Sequence, residues 1–237
     1  MNDYDVFSHF YDAAVGERNT VVDLLRGFIE ASPPNGNNLL ELACGTGGIL
    51  RHFAGEWNLN GLDASKGMLA VAREELPNAK FYRRDIRDFH IHQQFDVILC
   101  VYDSINHLLT FDDWQKVFRN VHNHLAPGGM FIFDVNTPVK LHEIVSYPPE
   151  IHKLGENYML LKVRSEGKEI FNWNLRFFIH STGNHYRLKI ENIRETAFPS
   201  NTIINALHAM FTSVKTVDAE RKRPSKNSER LYFICRK

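Results

Sequence analysis

Apolar residues recur at helical spacing near the start of the chain. Val21, Val22, Leu24, Leu25, Phe28 and Ile29 share one face, and Thr20 with Asp23 reads as a capping box that opens the helix. Pro33, Pro34 and Gly36 end it. The next run, Asn38–Ala43, is apolar but too short for a helix, and it leads straight into Cys44-Gly-Thr-Gly-Gly48. That pattern predicts a buried parallel strand entering a tight turn. The rhythm then repeats. Asn58–Leu62 is a strand ending at Asp63, and Ser65 is placed to cap a helix through Met68, Leu69, Ala72 and Leu76. Lys80–Tyr82 and Phe95–Val101 are further strands. Thr110 opens a helix through Trp114, Val117, Phe118, Val121 and Leu125, and Pro127-Gly-Gly129 turns the chain into the strand Met130–Phe133, closed by Asp134. Strand and helix alternating at this interval predict an α/β fold with a mostly parallel, doubly wound sheet and right-handed crossovers.

The pattern changes near residue 140. Asn157–Val163, Glu169–His180 and His185–Arg194 are β-rich runs separated by turn residues, which predicts an antiparallel meander. A helix over Asn201–Phe211 and two closing strands, Val214–Val217 and Arg230–Cys235, return to the first style. The expected division is a core of residues 1–140 and 197–237 with an insert at 141–196.

Composition narrows the function. The 237 residues carry 28 Lys and Arg against 28 Asp and Glu, so net charge is zero and a general nucleic-acid binder is not expected. No apolar run is long enough to span a bilayer. The three cysteines, Cys44, Cys100 and Cys235, are scattered without paired spacing, and two lie in apolar runs. The acidic, aromatic N-terminus is unlike an export signal. A reducing, cytoplasmic setting is the expectation.

The chemistry concentrates at the first turn. Gly45 and Gly47 let a ligand approach the main chain. A dinucleotide fingerprint would need glycine at 50, where this chain has leucine. Glu41, two residues before the strand ends at Ala43, would repel a pyrophosphate and favour a cationic ligand. Asp63 follows Gly45 by 18 residues, a spacing that suits a carboxylate on ribose hydroxyls. Asp85, beyond the third strand, is placed for an exocyclic adenine amine. Together they read as a site for an adenosine carrying an amine and no phosphate.

Five segments in this order, Glu41–Gly48, Gly61–Leu69, Arg84–Phe89, Phe95–Cys100 and Leu125–Asp134, resemble the successive motifs of class I S-adenosylmethionine-dependent methyltransferases. The resemblance implies a Rossmann-like, seven-stranded sheet and S-adenosylmethionine as cofactor. It implies that Gly45 and its neighbours Ala43 and Gly47 hold the methionine part and Asp63 the ribose. Ala64 and Met68 would line the nucleoside, Asp85 and Ile86 the adenine, and Cys100–Val101 would meet the methionine amine. The closing segment Ser228–Arg236 and the meander are similar to a small-molecule subgroup that includes amino-sugar N-methyltransferases. In that subgroup the insert roofs the substrate pocket and often helps form a homodimer.

The acceptor side is marked more sparsely. The loop Tyr102–His107 follows the fourth strand, where such enzymes place acceptor contacts. His107 there reads as a general base or as a loop histidine with a structural hydrogen bond. Tyr102 is the second catalytic candidate. Tyr4 and Tyr11 resemble an aromatic N-terminal lid, or they pack the first segment on the sheet. Asp103, Asp134 and Asn136 fit oxygen ligands of Mg²⁺ only loosely, so no metal is expected. His90 and His92 read as an exposed alternation. N- or O-methylation of a small molecule is the leading reading. RNA or protein methylation and S-adenosylmethionine binding without catalysis are the alternatives, and an NAD-dependent oxidoreductase is disfavoured by Leu50 and Glu41.

Overall fold

The computed structural model describes Ser8 and residues 10–167, 169–221 and 223–237; Tyr4 lies outside the described residues. The core is a seven-stranded sheet of β1 (Asn38–Leu42), β2 (Asn58–Asp63), β3 (Lys80–Arg83), β4 (Phe95–Cys100), β5 (Leu125–Asn136), β10 (Ser213–Asp218) and β11 (Arg230–Arg236). Their order across the sheet is β10-β11-β5-β4-β1-β2-β3. All neighbours pair in parallel except β11, which runs against both β5 and β10. The order reverses between β1 and β4, and ligands in open α/β sheets bind beyond the strand ends at such a point.

Alternation along the strands divides the apolar residues between two layers. Leu39, Val97, Leu99 and Ile132 pack under α2 (Asn19–Glu30) and α3 (Lys66–Glu75), whereas Leu40, Ile98, Phe131 and Phe133 face α4 (Phe111–His124) and α6 (Ser200–His208). Gly61 in β2 lies where a Cβ would come within 2.6 Å of the Phe81 ring and 2.7 Å of Cys44 Sγ. All three cysteines are buried free thiols.

A second, four-stranded antiparallel sheet holds β6 (Glu150–Leu154), β7 (Asn157–Ser165), β8 (Phe171–His180) and β9 (Tyr186–Glu195) in sequential order. It packs Met159, Leu175 and Phe177 against Phe10 and Tyr11, the latter opening the short helix α1 (Tyr11–Val15). A short helix, α5 (Pro138–Ile144), joins the sheets.

The caps expected at Ser65 and Thr110 are present: each side chain accepts from a backbone N–H three residues on. The capping box at Thr20 is not. The helix starts at Asn19 with Arg18 at the N-cap, and a guanidinium, which only donates, cannot cap the first N–H groups. Pro127-Gly-Gly129 does not precede β5 but lies inside it. The strand starts at Leu125, and a register shift against Phe95/Val97 absorbs the irregular residues.

Candidate active site

Three turns at the carboxyl edge of the sheet build the site. In the first, Ala43, Gly45 and Gly47 take φ of +51°, +53° and +78°. This left-handed backbone suits glycine and is strained at Ala43. A Cβ on Gly45 would face the Tyr11 ring at 3.6 Å and Met68 Sδ at 3.8 Å, across the cavity mouth. Asp63, at the end of β2, ties this turn to the next. One carboxylate oxygen accepts from Gly45 N at 2.9 Å and the other from Ser65 N at 2.8 Å. Burial raises its pKa above the usual carboxylate range, against the pull of these N–H donors and of His107 across the site.

The turns enclose a cavity of about 650 Å³. Tyr11, Ala43, Gly45, Asp63, Ala64, Met68, Asp85, Ile86, Tyr102 and His107 all line it, so most of the residues singled out from the sequence converge on one space. Glu41, Gly47, Cys100 and Val101 do not line it. Gly47 backs onto Leu76 and Ala72 of α3, and Cys100 belongs to the apolar layer under α4. The Val101 carbonyl accepts from Ser104 Oγ at 2.7 Å. Asp85 reaches the cavity with both oxygens engaged by Arg87, at 2.9 and 2.6 Å, which holds its pKa below the usual range.

Glu41 lies beneath the glycine turn, 4% exposed, and its Oε2 has no partner among the described residues. Burial pushes its pKa well up; Asp63 adds to the rise and Arg18 opposes it. Arg18 was not singled out from the sequence. It is 5% exposed, bonds Asp12 at 2.6 Å and lies flat over Gly48, where a Cβ would meet its Cζ at 2.4 Å. Asp12 also accepts from Thr46 Oγ1 at 2.9 Å, and Phe10 stacks on Phe177 of the insert at 5.6 Å. The N-terminal segment therefore clasps the glycine turn with one end and the second sheet with the other.

The far wall comes from the insert, which the sequence had marked only as a pattern. Asn192, Ile193 and Arg194 of β9 line the cavity opposite the glycine turn. His107 Nδ1 lies 3.3 Å from the Arg194 carbonyl. Arg84, Ser104, Leu108 and Leu109 complete this side. Asp103, Asp134 and Asn136 do come together, but a guanidinium occupies their midst. Arg230 bonds Asp103 at 2.5 Å, Asn136 at 3.1 Å, and Asp134. His90 and His92 lie outside this cavity, with Nε2 and Nδ1 3.2 Å apart.

Residues 39–129 match the family model described as a methyltransferase domain. A dTDP-4-amino-2,3,4,6-tetradeoxy-D-glucose N,N-dimethyltransferase of Saccharopolyspora spinosa is 37% identical over 119 residues, which cover 50% of this chain and 46% of the relative. A dTDP-3-amino-3,4,6-trideoxy-alpha-D-glucopyranose N,N-dimethyltransferase of Streptomyces venezuelae is 33% identical, covering 55% of each chain. The match thus spans about half the length of these two relatives. The crystal structure of a S-adenosylmethionine-dependent methyltransferase from Clostridium acetobutylicum ATCC 824 superposes with a TM-score of 0.85 at 26% identity, covering 99% of both chains. The motifs, the strand order and these likenesses agree: residues 39–129 carry a methyltransferase domain, on a fold like that of class I S-adenosylmethionine-dependent methyltransferases.

Proposed function

We propose that this chain transfers a methyl group from S-adenosylmethionine to an amino nitrogen of a small sugar-like acceptor. The observation that carries the reading is the single cavity walled on one side by the glycine turn and Asp63 and on the other by His107 and β9. The residues present fit the cofactor. The cavity lies in the ordinary range for small-ligand sites, roughly 300–1,000 Å³. The open face of Gly45, with the buried carboxyl of Glu41 beneath the turn, suits a cationic amino-acid moiety. Asp63 retains lone pairs for a ribose, and Ala64, Met68 and Ile86 offer apolar walls for a base.

When bound, S-adenosylmethionine supplies an electrophilic methyl group on a sulfonium. The chain's own residues then have three tasks. Tyr102, His107 and β9 hold the acceptor nitrogen in line with that methyl; alignment of this kind is worth about 7–11 kcal/mol. Tyr11 and the insert keep water out. His107, lining the cavity, takes the proton that the nitrogen sheds. The amino-sugar relatives support nitrogen as acceptor.

The test is turnover of labelled S-adenosylmethionine with a panel of amino-sugar nucleotides, compared with hydroxyl-only counterparts. Labelled product only from the amino compounds is expected; labelled product only from the hydroxyl compounds would overturn the reading. His107→Ala should then lower kcat by roughly 10²–10⁴-fold, and undiminished turnover would remove the base assignment. A cytoplasmic setting and a homodimer through the insert belong to the same reading. Support for the dimer is the outer face of the second sheet, which exposes Ile151, Leu188 and Ile190. Light scattering that finds a monomer at micromolar concentration would sink it.

A further inference from the structure

Two consecutive non-glycine residues, Tyr102 (φ +56°) and Asp103 (φ +49°), hold left-handed backbone between β4 and the short 3-10 turn Ser104–His107. Both conformations are disfavoured for L-residues, because Cβ crowds the carbonyl oxygen that follows. The bend aims the two candidate groups of the acceptor side, Tyr102 and His107, into the cavity. Strained backbone at a site persists only where surrounding contacts over-determine it. Several of those contacts converge on one guanidinium.

We propose that Arg230, at the start of β11, is a positioning residue that sets the Tyr102–His107 loop for methyl transfer. It acts through Asp103 and touches neither cofactor nor acceptor. This rests on the methyltransferase reading above. Arg230 Nη2 grips Asp103 at 2.5 Å and Asn136 at 3.1 Å, while Nη1 grips Asp134. Asp134, fully buried, also accepts the Asp103 amide at 3.2 Å, so side chain and backbone of the strained residue are held from the same two groups. The clamp continues on the far side of the loop. Asn106, fully buried, exchanges two hydrogen bonds with the Asn136 backbone, at 3.1 and 3.0 Å, and donates to the Thr196 carbonyl at 2.7 Å. Thr196 N returns a bond to the Asn106 carbonyl at 2.9 Å, and Asn136 reaches Glu195 of β9 at 3.3 Å. One network therefore fixes the loop to the ends of β5 and β11 and to the insert that forms the opposite wall.

Stability alone is a poor account of such a cluster, because Arg230 is partly exposed while Asp134 is fully buried, and ion pairs taken out of water are often no better than packed apolar residues. Among the described residues Asp134 Oδ1 is even left without a partner. Geometry is what the cluster provides: a planar fork can hold three oxygens in fixed directions, which a lysine ammonium cannot.

The test compares Arg230→Lys, Arg230→Met and Asp103→Asn, the last leaving the Arg230–Asp134 pair in place. For each, S-adenosylhomocysteine affinity, amide hydrogen exchange of residues 102–107 and 66–75, and kcat per ligand-binding molecule are measured. The expected result is faster exchange confined to 102–107, ligand affinity within about threefold of the parent, and kcat lower by roughly tenfold or more, reflecting misplacement of the loop. Arg230→Lys should recover only part of the loss. Unchanged loop exchange with full kcat per binding molecule would overturn the proposal. Should Arg230→Met not fold, Asp103→Asn decides the question. If the parent turns over no acceptor, the reading of the substrate fails while loop exchange still tests the clamp.

Discussion

Glu41 carries a pH dependence that separates the empty protein from the occupied one. Its carboxyl is buried, half satisfied, and raised in pKa by burial with Asp63 adding to it. A carboxyl whose folded pKa exceeds its unfolded value of about 4.3 contributes stability that is present below that value. The contribution is lost as pH rises through the folded pKa. Glu41→Gln removes the loss, so the empty variant should melt at the parent's temperature near pH 4 and above it at pH 8. Ligand binding should respond in the opposite sense. An ionised Glu41 favours a cationic amino-acid moiety, so parent affinity for S-adenosylhomocysteine should strengthen with pH, while the glutamine variant binds more weakly with a flatter profile. Calorimetry from pH 5 to 8 checks this, and identical profiles for the two proteins would refute it. Gly45 and Asp63 were singled out in the sequence by residue type and spacing and both line the cavity, whereas Glu41, singled out with them, lies beneath the turn and does not. Arg18 was not singled out, since its partners Asp12 and Gly48 become neighbours only when the N-terminal segment folds over the turn.

Elements were legible where periodicity was strong and obscure where one irregular residue was absorbed. The strands β1, β2 and β4 and the helices capped by Ser65 and Thr110 follow from apolar runs and side-chain caps. β5 extends through Pro127-Gly-Gly129 because a register shift against β4 tolerates residues that otherwise read as a turn. β6 was missed because Glu150–Leu154 exposes most of its length and has no apolar face to announce it. Gly61 shows packing that sequence pattern conceals: within β2 it reads as a weak strand residue, yet its hydrogen touches Phe81 and Cys44. Gly61→Ala should therefore cost about 1–3 kcal/mol through overpacking. A lower urea midpoint with an unchanged slope checks this. A midpoint equal to the parent's would show that β3 shifts to make room.

At the scale of the whole molecule, the site belongs to no single layer. The sheet supplies the glycine turn and Asp63, the insert supplies Asn192–Arg194, and the N-terminal segment bridges both through Asp12, Arg18 and Phe10. Sequence pattern marked β7, β8 and β9 but not their register over the cavity, which depends on contacts between residues far apart in the chain, such as Asn106 with Thr196. A ligand filling the cavity should consequently stabilise all three parts together. At a concentration of about 100 times Kd, S-adenosylhomocysteine adds roughly 2.7 kcal/mol, and a chain of this size gains about 2–4 °C in Tm per kcal/mol. NAD should produce no shift, since Leu50 and Glu41 are unfavourable to a pyrophosphate. Hydrogen exchange separates a shared site from a core-only one. Protection is expected at residues 43–47 and also at 192–194, although the second segment lies in a different sheet. Protection confined to 43–47 would mean that the insert roofs only the acceptor. The cavity would then fill in two steps, with the cofactor first closing the glycine turn and the acceptor later drawing down β9.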